Sequence, residues 1–136
     1  MLKYIFFDID GTLMKTKSII PEVHPDTRQK LLELKKYYKL GIYSQGFKLI
    51  QLGKLKLAGI LDLFDENNIF ISHNKLALVK KIENKYPIDE FLIIDNSEEI
   101  IQSLEKEGIH FLHVHSYISL FEDVKFLYSV VHDSKG

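Results

Sequence analysis

The sequence predicts an α/β fold: a three-layer, doubly wound, Rossmann-like parallel sheet of about five strands flanked by helices. Three observations carry that expectation. Short apolar runs of strand length alternate with longer stretches of helical periodicity along the chain. Runs such as Phe91-Leu92-Ile93-Ile94 are apolar at consecutive positions rather than at every second one, as strands covered on both faces require. Polar and acidic residues cluster directly after these runs, at the carboxyl ends where open parallel sheets bind ligands.

Taken in order, Met1 to Phe7 reads as a buried strand that ends abruptly in Asp8-Ile9-Asp10-Gly11. Met14 to Pro21 is too short for a helix and reads as a loop or small hairpin. From Pro25 to about Tyr38, Leu31, Leu32, Leu34 and Tyr38 recur at helical spacing, with Pro25 suited to a first turn and Asp26 to its dipole. Leu40 to Ser44 is a second strand, Gln45-Gly46 a turn, and Phe47 to Leu55 a second helix ended by Gly59. Ile69 to Ile71 is a third strand, followed by a helix from Leu76 that must stop before Pro87. Phe91 to Ile94 is the fourth strand, Glu98 to Lys106 a helix closed by Gly108, Ile109 to His115 the fifth strand, and Leu120 to Val130 a last helix.

The length of 136 residues fits one domain, 1–136, able to bury roughly two-thirds of its unfolded surface, with 132–136 reading as a flexible tail. Lysine and arginine number 18 against 19 acids, a net charge of -1, so no general nucleic-acid binding is expected. The absence of cysteine excludes disulfides, zinc-thiolate sites and a thiol nucleophile. No run approaches the ~18 apolar residues of a membrane span, and the N-terminus lacks the pattern of a signal peptide, so a cytoplasmic location with no membrane partner is expected.

In an extended stretch Asp8 and Asp10 would point to the same side, roughly 6.5 Å apart, and a hard divalent cation would relieve their repulsion. Acids before a glycine also commonly cap a turn. Three further clusters stand in order along the chain: Ile42-Tyr43-Ser44-Gln45-Gly46, Ser72-His73-Asn74-Lys75, and Ile93-Ile94-Asp95-Asn96-Ser97-Glu98-Glu99. With Asp8-Ile9-Asp10-Gly11-Thr12-Leu13, they resemble the four motifs of the haloacid dehalogenase-like (HAD) hydrolase superfamily, and the resemblance covers about residues 3–107. Singly, Lys75 reads as a solvated helix lysine, Ser44 as a turn serine and Asp95 as a helix cap.

The resemblance implies a phosphatase in which Asp8 is the nucleophile and forms an aspartyl phosphate, dividing a slow hydrolysis into two steps. Asp10 would be the general acid/base, and its presence favours phosphoryl transfer over carbon–halogen cleavage. Mg2+ would be held by Asp8, the Asp10 carbonyl and Asp95, with Glu99 orienting its water ligands. Ser44, Gln45 with the turn amides, and Lys75 would bind the phosphoryl oxygens. The sequence departs from the family pattern in four places: Gln45 replaces a common Asn, no Gly precedes Asp95, Glu99 replaces a frequent Asp, and no Pro follows Lys75.

About 33 residues separate Asp10 from Ser44 and about 30 separate Ser44 from Lys75, which leaves no room for the cap domain of many family members. An open site implies a phosphorylated substrate large enough to cover it, or a homo-oligomer in which a neighbouring subunit lids a small one. Lys15, Lys17 and Lys48 flank the expected mouth. His73 lies two residues before Lys75, while His113 and His115 share a face of the fifth strand with Phe111, an edge-strand pattern more than a metal site. The same residues also serve a phosphotransferase, and the fold alone serves a non-catalytic binding or regulatory domain.

Overall fold

Five strands and five helices alternate in a computed structural model that describes residues 1–16 and 20–128. They are β1 (Tyr4–Phe7), α1 (Thr27–Lys35), β2 (Lys39–Gln45), α2 (Lys48–Leu57), β3 (Ile69–Ser72), α3 (Lys75–Lys85), β4 (Phe91–Asp95), α4 (Glu98–Lys106), β5 (Phe111–His113) and α5 (Leu120–Asp123). Two 3-10 turns, Leu61–Leu63 and Glu66–Asn68, join α2 to β3. All strand pairs are parallel, in the order β3-β2-β1-β4-β5. The order reverses at β1, which lies between β2 and β4.

Alternation along each strand divides the apolar residues between two cores. Ile5, Phe7, Leu40, Ile42, Leu92 and Ile94 face the side covered by Leu31 and Leu34 of α1, Leu55 of α2, and Leu120 and Phe121 of α5. Phe6, Tyr43, Phe91 and Ile93 face the opposite side, covered by Leu78, Val79 and Ile82 of α3 and by Ile101 and Leu104 of α4. The consecutive apolar runs are thus explained by a helix layer on each face, and the three-layer fold expected from the sequence is the one observed. Among the described residues, α1, α2 and their connections occupy the intervals between the motifs, with no inserted cap. No helix among them is long and apolar enough to cross a membrane.

β1 begins at Tyr4 rather than Met1 and α1 spans Thr27–Lys35 rather than Pro25 to Tyr38, and two further elements differ from expectation for reasons their contacts supply. β5 covers only the centre of the expected Ile109–His115 because neighbouring elements claim its ends: the Ile109 amide donates to Leu104 O at 3.0 Å, closing α4, and the His115 amide donates to Asp123 Oδ2 at 2.8 Å. The last helix pauses at Val124, whose angles of φ -106° and ψ 13° leave the helical region. Residues 125–128 are helical again, while the last two residues of the expected helix, 129 and 130, and the tail at 132–136 lie outside the described residues, as does Lys17.

Gly41 shows how tightly β2 is enclosed. A Cβ there would stand 2.6 Å from Asn68 O and 2.7 Å from the Phe6 ring. Gly41→Ala is expected to destabilise the protein by about 1–3 kcal/mol in urea unfolding, because neither backbone nor buried ring can yield cheaply.

Candidate active site

β1 and β4 end side by side, Phe7 level with Ile94, so the next residues, Asp8 and Asp95, emerge together where the strand order reverses. Both are buried, Asp8 at 4% and Asp95 at 0% exposure. Lys75 opens α3, whose start is fixed by the Asn74 side chain accepting from the Ala77 amide at 3.1 Å. From there its ammonium bridges the two acids, 2.9 Å from Asp8 Oδ1 and 2.7 Å from Asp95 Oδ2, and lies 4.8 Å from the centre of the Tyr43 ring. The Tyr43 hydroxyl donates to Asp95 Oδ2, and the Ser97 amide donates to Oδ1 at 2.8 Å.

One ammonium does not balance two buried carboxylates. Burial pushes the Asp8 carboxyl above its ordinary range, against the pull of the Lys75 ammonium and the Thr12 hydroxyl. Burial, and then the neighbouring Asp8 charge, push Asp95 up to about 8. The pair is short of positive charge.

The chain turns immediately after Asp8. The amides of Thr12, Leu13 and Met14 all donate to Ile9 O at 3.0–3.2 Å, while the buried Ile9 side chain anchors the turn in the core. Gly11 takes φ +83°, and a Cβ there would stand 2.9 Å from Asn96 Cγ. This corrects the expectation that Asp8 and Asp10 share one face of an extended strand. Their carboxylates have different partners, because the turn aims Asp10 toward α2, where it accepts from Lys54 Nζ at 2.8 Å on Oδ1 and from Gln51 Nε2 at 3.0 Å on Oδ2. Gln51 also donates to Ser44 Oγ at 2.7 Å, joining the end of β2 to the β1 turn.

Asn96 closes the other side. Oriented by the acceptors it faces, its amide nitrogen donates to Asp8 Oδ2 at 2.9 Å and to the Asp10 carbonyl at 3.2 Å. Thr12 Oγ1 donates to Asp8 Oδ2 at 3.1 Å. Asp8 is therefore held on both oxygens.

The site residues expected from the sequence do not all meet. Asp8, Asp95 and Lys75 form one buried cluster; Asp10 and Ser44 are joined through Gln51. Gln45 is exposed, and with His73, Asn74, Lys75, Ser97 and Glu99 it lines an open hollow of about 430 Å³ beside the cluster. Glu99 is exposed on the first turn of α4, and Asn96 is the side chain that links Asp8 to the Asp10 carbonyl. Of the flanking lysines, Lys15 pairs with Glu22 at 3.8 Å, and Lys48 lines a separate hollow with Leu52, Leu61 and Phe64. His73 packs edge-on against Phe47, ring centres 4.6 Å apart. His113 and His115 stack at 5.4 Å, with His113 Nε2 3.2 Å from Asn96 O and His115 Nδ1 3.2 Å from Asp123 Oδ2.

Gln51, Lys54, Asn96 and Tyr43 also belong to the site, although the sequence pattern did not mark them. Gln51 carried a signal: it stands one turn before Leu55 on the buried stripe of α2, where a polar side chain needs a partner.

The residues present suit a small hard cation. Among the described residues no group of three or more His, Asp and Glu side chains is gathered to hold a metal. Mg2+, however, needs only one or two carboxylates and fills its remaining positions with water and substrate oxygens. Asp8 and Asp95 supply two carboxylates that already converge on a cation, the Lys75 ammonium, and the Asp10 carbonyl lies on the same side as Asn96.

No family model matches the sequence, and no curated protein matches it. Solved structures do. A haloacid dehalogenase-like family hydrolase from Streptococcus pneumoniae superposes with a TM-score of 0.70 over 90% of each chain, at 14% identity. The HAD domain of the effector protein Lem4 from Legionella pneumophila superposes with a TM-score of 0.62 over 96% of this chain and 94% of its own, also at 14% identity. The chain has the haloacid dehalogenase-like fold.

Proposed function

We propose that this chain, with its haloacid dehalogenase-like fold, is a Mg2+-dependent phosphate monoester hydrolase of a single domain that works through an aspartyl phosphate on Asp8. The observation that carries the reading is the convergence of Asp8, Asp95 and Lys75 at the sheet's reversal point, with Asp10 and Ser44 joined beside them. That the pneumococcal neighbour is a hydrolase supports the reading.

In the first step an Asp8 carboxylate oxygen attacks phosphorus as the ester P–O bond breaks, and Asp10 gives its proton to the departing oxygen. In the second, Asp10 takes a proton from water as that water attacks phosphorus, releasing inorganic phosphate and the Asp8 carboxylate. Lys75, the Ser44 hydroxyl and Gln45 would donate to the phosphoryl oxygens and oppose their charge, while the Gly46 amide is spent on Ser72 O at 2.9 Å. Gly46, at φ +145°, shapes the turn after Ser44; a Cβ there would press on Gln51 Cγ at 3.2 Å. Asp8, Asp95 and the Asp10 carbonyl would hold Mg2+, which would supply the further positive charge that the nucleophile and phosphoryl group need when brought together. Glu99, at the rim, would act on water near that ion.

Release of phosphate from a panel of phosphorylated sugars, nucleotides and peptides tests the reading. Turnover is expected with Mg2+ and lost with a chelator; inertness across the panel would overturn it. Proton linkage gives a second test. With Asp95 pushed up to about 8 from an ordinary 3.8, the cation-free folded protein holds a proton between those values that the unfolded chain lacks. Cation-free stability is therefore expected to fall as pH rises across that window. Mg2+ must displace the proton, so its affinity should weaken by up to about tenfold per pH unit below about 8. Calorimetry at pH 7 in buffers of different ionisation heat should register proton release, and a buffer-independent heat would contradict it.

A further inference from the structure

We propose that Lys54 and Gln51 of α2 are positioning residues that clamp Asp10 for proton transfer. This rests on the phosphatase reading above and adds to it the group that fixes the general acid/base. The two stand three residues apart on one helix face, and each takes one oxygen of the carboxylate: Lys54 Nζ at 2.8 Å from Oδ1, Gln51 Nε2 at 3.0 Å from Oδ2. Gln51 is 3% exposed and uses its two amide hydrogens on Asp10 and Ser44 Oγ, so the hydroxyl facing the phosphoryl group and the acid facing the leaving oxygen are held by one amide. The Lys54 and Asp10 side chains are 20% and 29% exposed, sheltered enough for the pair to hold one geometry.

The arrangement leaves the chemistry room. A carboxylate oxygen has two lone pairs, so each oxygen of Asp10 can accept from its clamp and still exchange a proton on the other side. Once the proton has gone to the leaving oxygen, the Lys54 ammonium stabilises the anion that remains. Lys75 serves Asp8 and Asp95 and makes none of these contacts, so the two lysines divide the work between nucleophile and acid/base. In a site with no cap above it among the described residues, α2 sets the direction of proton transfer from below.

Because Lys54 acts through Asp10, its removal should matter in proportion to the leaving group's need for a proton. Lys54→Met and Lys54→Arg are compared with the wild type on phenyl phosphate, whose leaving oxygen needs protonation, and on p-nitrophenyl phosphate, whose leaving oxygen needs it far less. Lys54→Met is expected to lose at least ~30-fold in kcat/KM on phenyl phosphate, at least tenfold more than on the nitrophenyl ester, because kcat/KM reports the steps up to departure of the leaving oxygen and not the shared hydrolysis of the aspartyl phosphate. Lys54→Arg should recover most of the loss. Equal losses in kcat/KM on both esters, or no loss on either, would each overturn the clamp. The physical pairing is read separately by thermal unfolding, where Lys54→Met and Asp10→Asn should be less than additive when combined; full additivity would also overturn it. A wild type inert on both esters would count against the phosphatase reading, and with it against a role in turnover, while unfolding still reports whether the pair exists.

Discussion

Asp8→Asn is expected to abolish turnover, by roughly 10^4-fold or more in kcat, without lowering the unfolding temperature. The amide has the shape of the carboxylate but cannot form the acyl phosphate, so the loss falls on kcat rather than on KM. Stability should hold or rise, because the Asp8 charge is buried beside a second acid and burial pushes its carboxyl up. Lys75 keeps its 2.7 Å contact with Asp95 in the variant, so no cation is stranded. Steady-state assay and calorimetric melting check the two halves together. Activity above about 1% of wild type would remove Asp8 from the nucleophile's place, and a collapse in melting temperature would make any loss uninformative.

Lys75→Met is expected to show the largest effect on stability, and one that depends on the ion present. Removing the ammonium leaves Asp8 and Asp95, both buried, without the cation that bridges them, and stripping one partner from a buried pair typically costs about 3–5 kcal/mol. Because the cation-free protein already holds a proton on Asp95 below about pH 8, the charge left stranded there is that of Asp8. Mg2+ should restore more stability to the variant than to the wild type, because a dication between the two carboxylates replaces the missing charge. Urea unfolding with and without Mg2+ measures both. If Mg2+ leaves the two proteins equally stable or unstable as before, Asp8 and Asp95 do not form a cation site. Catalysis should fall in the variant even when Mg2+ is saturating, since the phosphoryl oxygens lose a donor.

The sheet was legible because a parallel sheet covered on both faces writes itself into the chain as consecutive apolar residues: Phe91 to Ile94 is the plainest case, and its Ile93 and Ile94 face opposite cores. The helix from about Glu98 to Lys106 was legible because Ser97 caps it and Glu98 and Glu99 suit its first turn. That Asp8 and Asp95 lie at the same edge of the sheet followed from strand ends, and that they meet was implied by the resemblance. What did not follow was the turn at Ile9, whose carbonyl gathers three amides and sends Asp10 away from Asp8. Periodicity describes regular strands and carries no information on a turn set by one buried side chain. Lys54 was hidden for a different reason: among lysines spaced along an amphipathic helix, only tertiary placement shows which one reaches inward. Glu99 came from the resemblance, as an acid of its fourth motif, and it lies exposed on the first turn of α4, lining the hollow beside the cluster.

The covalent step is the claim on which the rest depends. Enzyme mixed with a phosphomonoester and Mg2+, quenched in acid within milliseconds and treated with borohydride, should carry homoserine at position 8, identified by peptide mass spectrometry, and Asp8→Asn should carry none. Rapid turnover with no modified position 8, together with an active Asp8→Asn, would contradict the account and assign the attack on phosphorus to water.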